Sequence, residues 1–308
     1  MNLKTINRIR ISLIVGFVLL AFWGLILDFQ YPNGDSWILI NSEFGRFLAH
    51  VLIGLGPEIA GIAIGIISID YFNEKRQNQS AQIQLKSKLI RELRSKVKDV
   101  ALNAVEELQE HGWVIDGSLM GVNLTDANLE GANLRNANLN QSTMIGCILN
   151  ESNLYRSSLQ NVDLTLGSLQ NAILPRVDLF FATLNSCKFK HARMRRVNFQ
   201  NTACKATNFI ETDLQGSNFQ QALLLGANFA GADLQWADFD SANITLAKFD
   251  GANMKNARNL THGQIFQAKS LKGAIMPDGN IFEMWLEIQN LKEDWDSRIN
   301  SISDLEEE

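Results

Sequence analysis

From Gly117 to Asn256 the chain runs as twenty-eight five-residue units without an insertion, each with a small residue, a mostly polar one and then a large apolar one, as in Ala127-Asn128-Leu129 and Ala132-Asn133-Leu134. The large position falls on Leu119, Leu124, Leu129 and every fifth residue onward to Ile244, Phe249 and Met254, and Cys204 is its only small occupant. Two residues earlier stands Ala, Ser, Thr, Val, Cys or Gly throughout. Neither the period of a strand nor that of a helix produces a strict five, so the register predicts a solenoid, and an internal repeat of this kind outranks local propensity.

These units resemble the pentapeptide-repeat family, whose consensus is Ala-(Asp/Asn)-Leu-X-X, over nearly half of the chain. The resemblance implies an all-β right-handed quadrilateral β-helix with four units per coil, the small and large residues pointing inward and the other three outward. Seven coils at strand spacing make a rod about 34 Å long. Its core is buried only between neighbouring coils, so both ends need covers. Residues 113–279 are assigned to this solenoid, with a cap helix and acidic tail at 280–308.

Stacking by twenty residues sorts the interior into columns. One column reads Leu119, Leu139, Leu159, Leu179, Phe199, Phe219, Phe239, and its opposite reads Leu129, Leu149, Leu169, Phe189, Phe209, Phe229, Phe249. Stacked aromatics at strand spacing fill an interior, which favours packing over a cofactor box. Cys147 and Cys187 take the small inward position and Cys204 the large one, so all three are expected as buried free thiols.

Residues 1–72 read as an α-helical transmembrane hairpin. Ile11 to Leu27 is free of charge and about 26 Å long as a helix, and Phe47 to Ile69 is a second span interrupted by His50, Pro57 and Glu58. Lys4, Arg8 and Arg10 precede the first and Lys75 and Arg76 follow the second, which predicts a bacterial inner or other cellular membrane with both termini and the solenoid cytoplasmic. His50, Gly54, Glu58, Gly61 and Gly65 share one helical stripe. Two readings stand: the stripe packs against the first span or a second subunit, or several copies line a polar path with it.

Residues 73–112 read as one long juxtamembrane helix. Leu85, Leu89, Leu93, Val97, Val100, Ala104 and Leu108 form a seam suited to a coiled coil or to docking on the first coil. Up to Lys98 this stretch holds eight basic residues against Glu74 and Glu92, a charge suited to anionic headgroups near Lys86 to Lys98. A homo-oligomer through the second span or this helix is expected. After the repeats the register slips at Arg258-Asn259-Leu260, a short helix is predicted, Ser270 to Gly279 resembles the family's closing strand, and Ile281 to Ile302 reads as an amphipathic cap with Ile281, Trp285, Ile288 and Trp295 on its apolar side.

On the rod surface Arg156, Arg176 and Arg196 hold one position in three successive coils, about 5 Å apart. Arg135, Arg193 and Arg195 lie on the same face, and Lys188, Lys190 and His191 on the adjoining one. The patch is either a hydrated surface or a site for a phosphate, a headgroup or an acidic protein segment. His191 is expected to pair with Glu211. Ile145, Leu166, Leu223, Leu225 and Leu246 point outward as a candidate apolar contact for an unknown protein partner.

Residues 117–256 hold eleven acidic and eleven basic residues, which argues against the acidic surface that DNA mimicry demands, and no nucleic acid is expected as partner. The four histidines are scattered, and no phosphate loop, metal-spaced cluster or nucleophile elbow is present, so neither an enzyme nor a cofactor is predicted. The remaining classes are a membrane-anchored protein-interaction scaffold or sensor and, alternatively, an oligomeric channel-like or membrane-active effector gated through the solenoid.

Overall fold

The computed structural model describes residues 56–298 and divides into two compact units, Met1–Gln84 and Leu85–Glu308. Four helices carry the labels α1 (Gly56–Leu93), α2 (Lys98–Glu110), α3 (His262–Ile265) and α4 (Phe282–Ile288). Between α2 and α3 the chain winds as a four-sided parallel β-helix. Residues twenty apart pair in every coil, from Asn123 with Thr143 to Asp238 with Arg258.

Each unit is a short extended segment followed by a turn. The amide of the small residue closes the turn on the carbonyl of the preceding large one, as from Ala127 to Leu124 at 3.0 Å. The amide of the large residue donates to the next coil, as from Leu129 to Ile148 at 2.7 Å. Asn or Asp recurs at the mid-face position because its side-chain oxygen accepts from the amide two residues on, as Asn123 does from Thr125 at 2.9 Å and Asn218 from Gln220 at 2.9 Å. Where the small residue is Ser or Thr, its buried hydroxyl donates to a carbonyl, as Ser152 does to Leu149 at 2.7 Å. The interior therefore holds few unpaired polar groups.

The phenylalanine columns stack as their spacing demands. Phe199 and Phe219 lie 4.7 Å apart between centroids, and Phe209 and Phe229 4.8 Å, with nearly parallel rings. Across the interior the columns meet edge to face, Phe199 against Phe209 at 5.7 Å. Both geometries suit the aromatic quadrupole. Cys147, Cys187 and Cys204 are free and buried.

The N-terminal end corrects the expectation of one straight helix over 73–112. The helix breaks at 94–97, where Ser95 Oγ accepts from the Val97 amide and the Ser95 carbonyl accepts from the Asn128 amide at 2.9 Å. The Val114 carbonyl does the same for Asn138 at 3.0 Å. These bonds satisfy the exposed edge of the first coil, which would otherwise be an open template for pairing. The elbow also shifts the apolar face: Leu89, Leu93, Ala101, Ala104, Val105 and Leu108 are buried, whereas the predicted seam members Val97 and Val100 are 60% and 40% exposed. The seam is thus the solenoid's lid, and no coiled coil is present among the described residues.

The C-terminal end departs from the twenty-residue register once. After α3 the pairings become Lys248 with Ser270 and Asn253 with Ile275, so the predicted closing strand continues the stack two residues late. Thr261 and Gln264 form a capping box on α3, and Gln264 Nε2 donates to the Phe239 and Ala242 carbonyls, each at 2.9 Å. The predicted continuous helix from Ile281 is interrupted at Asn290, which takes a left-handed φ of 55°. That turn buries Phe282, Trp285, Leu286 and Trp295 and leaves Ile281 and Ile288 half exposed. Trp295 packs edge-on against Phe282 at 4.9 Å and Phe266 at 5.7 Å.

α1 runs through residue 72 without a break. The first predicted span, 11–27, and residues 47–55 of the second lie outside the described residues. Among the described residues no helix is long and apolar enough to cross a membrane.

Candidate anion-binding corner

Every fifth residue from Gly121 to Asn256 has φ between 54° and 74°. The four-sided coil needs a left-handed residue at each corner to turn the chain. Seven of these corners are Gly and five are Asn, the types that reach this region at least cost. None is Val, Ile or Thr, whose branched Cβ clashes there. Sequence reasoning missed this requirement, although the recurrence of Gly and Asn at that position was its signal.

Against that background one corner column is unusual. It reads Asn136, Arg156, Arg176, Arg196, Gly216, Trp236 and Asn256, with Arg at φ 57°, 61° and 56° and Trp at 57°. The residues one position earlier are Arg135, Tyr155, Pro175, Arg195, Gln215, Gln235 and Lys255. Eight of these residues, Tyr155, Pro175, Arg176, Arg195, Arg196, Gln215, Gly216 and Trp236, line a cleft of about 450 Å³. Gly216 leaves this stretch of the corner without a side chain, and a Cβ there would meet Arg196 Cγ at an ordinary contact distance of 3.5 Å.

The cations of this corner are in two conditions. Arg135 and Arg156 lie over the Tyr155 ring at 5.1 and 5.2 Å, and Arg195 is paired with Asp213. The guanidinium groups of Arg176 and Arg196 have no ion-pair or hydrogen-bond partner among the described residues. Two adjacent coils therefore present like charges about 5 Å apart, an arrangement that repels itself unless solvent or an anion intervenes. The nearby carboxylates are committed elsewhere: Asp213 to Arg195, and Asp233 to Gln215 Nε2 at 2.6 Å.

The remaining predicted site residues separate. Arg193 stands mid-face beside this corner, whereas Lys188 lies on the next face and Lys190 at the next corner. His191 pairs with Glu211 at 3.0 Å. The apolar set falls into two groups on the opposite corner. Ile145 and Leu166 sit in adjacent coils, while Leu223, Leu225 and Leu246 lie further along, and Asn185, Ser186, Lys205 and Ala206 separate the groups. Leu166, Leu223 and Leu246 are 60%, 55% and 43% exposed. Phe181 and Trp236, exposed at corners of their own, were not among the predicted contacts.

In the N-terminal lid Lys86, Lys96 and Lys98 reach Asp116, Asp126 and Glu130 at 3.4, 3.0 and 2.9 Å. The hydrogen bond to Glu130 raises the pKa of Lys98, and the Ser118 hydroxyl, Ser118 amide and Lys86 hold Asp116 below its usual range. Three of the cations expected to face headgroups are thus engaged with the first coils. Of the predicted polar stripe, His50 and Gly54 lie outside the described residues, and Glu58, Gly61 and Gly65 fall in the first turns of α1.

The family described as pentapeptide repeats matches in eight copies over residues 118–154, 132–170, 168–201 and 207–245. Among solved structures, HetL, a pentapeptide repeat protein involved in heterocyst differentiation regulation from the cyanobacterium Nostoc sp. strain PCC 7120, is 25% identical over 53% of this chain and 90% of its own, with a TM-score of 0.28. The pentapeptide repeat protein Rfr23 from the cyanobacterium Cyanothece 51142 is 27% identical over 30% of this chain and 61% of its own, with a TM-score of 0.29. QnrB1, a plasmid-mediated fluoroquinolone resistance protein, is 18% identical over 56% of this chain and 87% of its own, with a TM-score of 0.35. No curated protein matches the chain.

Proposed function

We propose that this chain, whose repeats match the pentapeptide-repeat family, is a non-enzymatic interaction scaffold or sensor whose working surface is the arginine corner. The observation that carries this reading is the adjacent pair Arg176 and Arg196, unpaired at strained corners beside the Gly216 cleft. An oligoanion bridging the two guanidiniums relieves their repulsion and gains charge-assisted hydrogen bonds. A rigid rod holds both at fixed spacing, so recognition costs little reordering. The apolar group at Leu223, Leu225 and Leu246 offers a separate protein contact. The charge-free segment 11–27 and the apolar segment 47–69 support a membrane anchor, with the solenoid on the side of the positive flanks. No observation on the described residues favours the channel-like alternative.

Titration of the full-length chain with tripolyphosphate at two ionic strengths tests the corner. The wild type is expected to bind with an affinity that falls as salt rises, and the Arg156→Asn/Arg176→Asn/Arg196→Asn variant to bind weakly or not at all. Equal binding by both proteins would place the anion elsewhere and end this reading.

A further inference from the structure

Resting on that reading, we propose that the anion taken by the arginine corner is a nucleotide, its phosphates held by Arg196 and Arg176 and its base stacked on Trp236. Along one edge of the rod stand two unpaired guanidiniums, then a corner with no side chain at Gly216, then an indole that is 49% exposed. Trp236 lies two coils from Arg196, about 10 Å along the axis. A ribose fills the interval between a base and its phosphates, and the Gly216 gap is the interval available here. Gln215 lines the same gap, and Pro175 and Tyr155 continue the apolar border beyond the arginines.

The indole's position strengthens the inference. Trp236 occupies a left-handed corner with φ 57°, where Gly or Asn is less strained, and no ring contact holds it there among the described residues. A half-exposed indole without a ring partner offers its face to a ligand. An acidic peptide is the rival ligand. Its carboxylates would satisfy the arginines, but an extended strand places same-side groups about 6.7 Å apart, wider than the coil spacing of about 4.8 Å. It also has no intrinsic need for the indole.

Calorimetric titration of the full-length chain with ATP, tripolyphosphate and hexaglutamate, all without magnesium, decides between them. ATP is expected to bind about tenfold tighter than tripolyphosphate, because base stacking on an aromatic side chain adds to a phosphate contact that is otherwise shared. Trp236→Asn, which suits the corner backbone and is expected to fold, should reduce ATP to the level of tripolyphosphate and leave tripolyphosphate unchanged. Arg176→Asn/Arg196→Asn should lose both. Equal affinity for ATP and tripolyphosphate, or tighter binding of hexaglutamate, would overturn the nucleotide assignment while leaving the anion corner standing. Absence of binding by all three would overturn both.

Discussion

Within one coil the interior and the corners obey opposite rules. Inward positions accept only what fills the space between stacked coils, and from Leu124 onward they are buried: Leu169, Phe189 and Phe209 are fully covered. Corner positions accept almost any unbranched residue that tolerates a left-handed backbone, and they are exposed. Interior composition therefore reports the fold. Corner composition reports what the fold is used for, wherever it departs from Gly and Asn. The column of Arg156, Arg176, Arg196 and Trp236 departs by placing three guanidiniums and an indole on one edge.

The contrast is broken most severely by a charge in the interior. Leu169→Asp should unfold the solenoid, since it forfeits burial worth roughly 2 kcal/mol and adds desolvation of an unpaired carboxylate. Asn171→Asp, at the corner two residues later, should stay within about 0.5 kcal/mol of the wild type. Equal melting temperatures for the two would refute the assigned inward register.

A smaller effect sharpens the corner rule itself. Asn171 has φ 57°, and Asn171→Val should cost about 2 kcal/mol by denaturant unfolding, although nothing is buried or exposed by the change. An unchanged midpoint would mean that the absence of branched residues at corners has another cause. The interior thiols test the same boundary by chemistry: burial pushes Cys147 and Cys204 up to about 12 and Cys187 higher still. A thiol reagent at neutral pH should modify all three only as fast as the chain unfolds. Rapid labelling of the folded protein would contradict their inward placement.

The smallest predicted effect concerns acid. Asp238 is buried, which by itself raises its pKa, but hydrogen bonds from Asn259, the Asp240 amide and Gln220, with Arg258 nearby, bring it below the usual range. A carboxylate depressed in the folded state stabilises above its unfolded pKa, and that stabilisation is lost as pH falls through the folded value. Thermal stability should therefore decline below about pH 4, and Asp238→Asn should remove part of the decline. An identical pH profile would assign it to other carboxylates.

The period of five made the coil, its columns and its buried cysteines legible, because packing between identical layers leaves each inward position one role. The lid was legible only in part. Leu89 and Leu93 continue a helical seam into Val97 and Val100, yet the buried set resumes at Ala101, about 80° out of phase at 100° per residue. The elbow at Ser95 places its carbonyl where it meets the Asn128 amide, and no local pattern encodes that meeting. At the corner the three arginines were visible as a ladder, but the Gly216 gap and Trp236 were not. Their relation appears only when coils are stacked and the missing side chain becomes a space.

The central claim is that the arginine corner is retained for binding at some expense of stability. Its most direct test measures both quantities on Arg156→Asn/Arg176→Asn/Arg196→Asn. Asn is better suited to a left-handed corner, and three like charges are removed from one edge, so the melting temperature should rise by a few degrees, about 1 kcal/mol in all, while affinity for tripolyphosphate is lost. A variant that melts lower than the wild type and binds tripolyphosphate as well would contradict the claim on both counts.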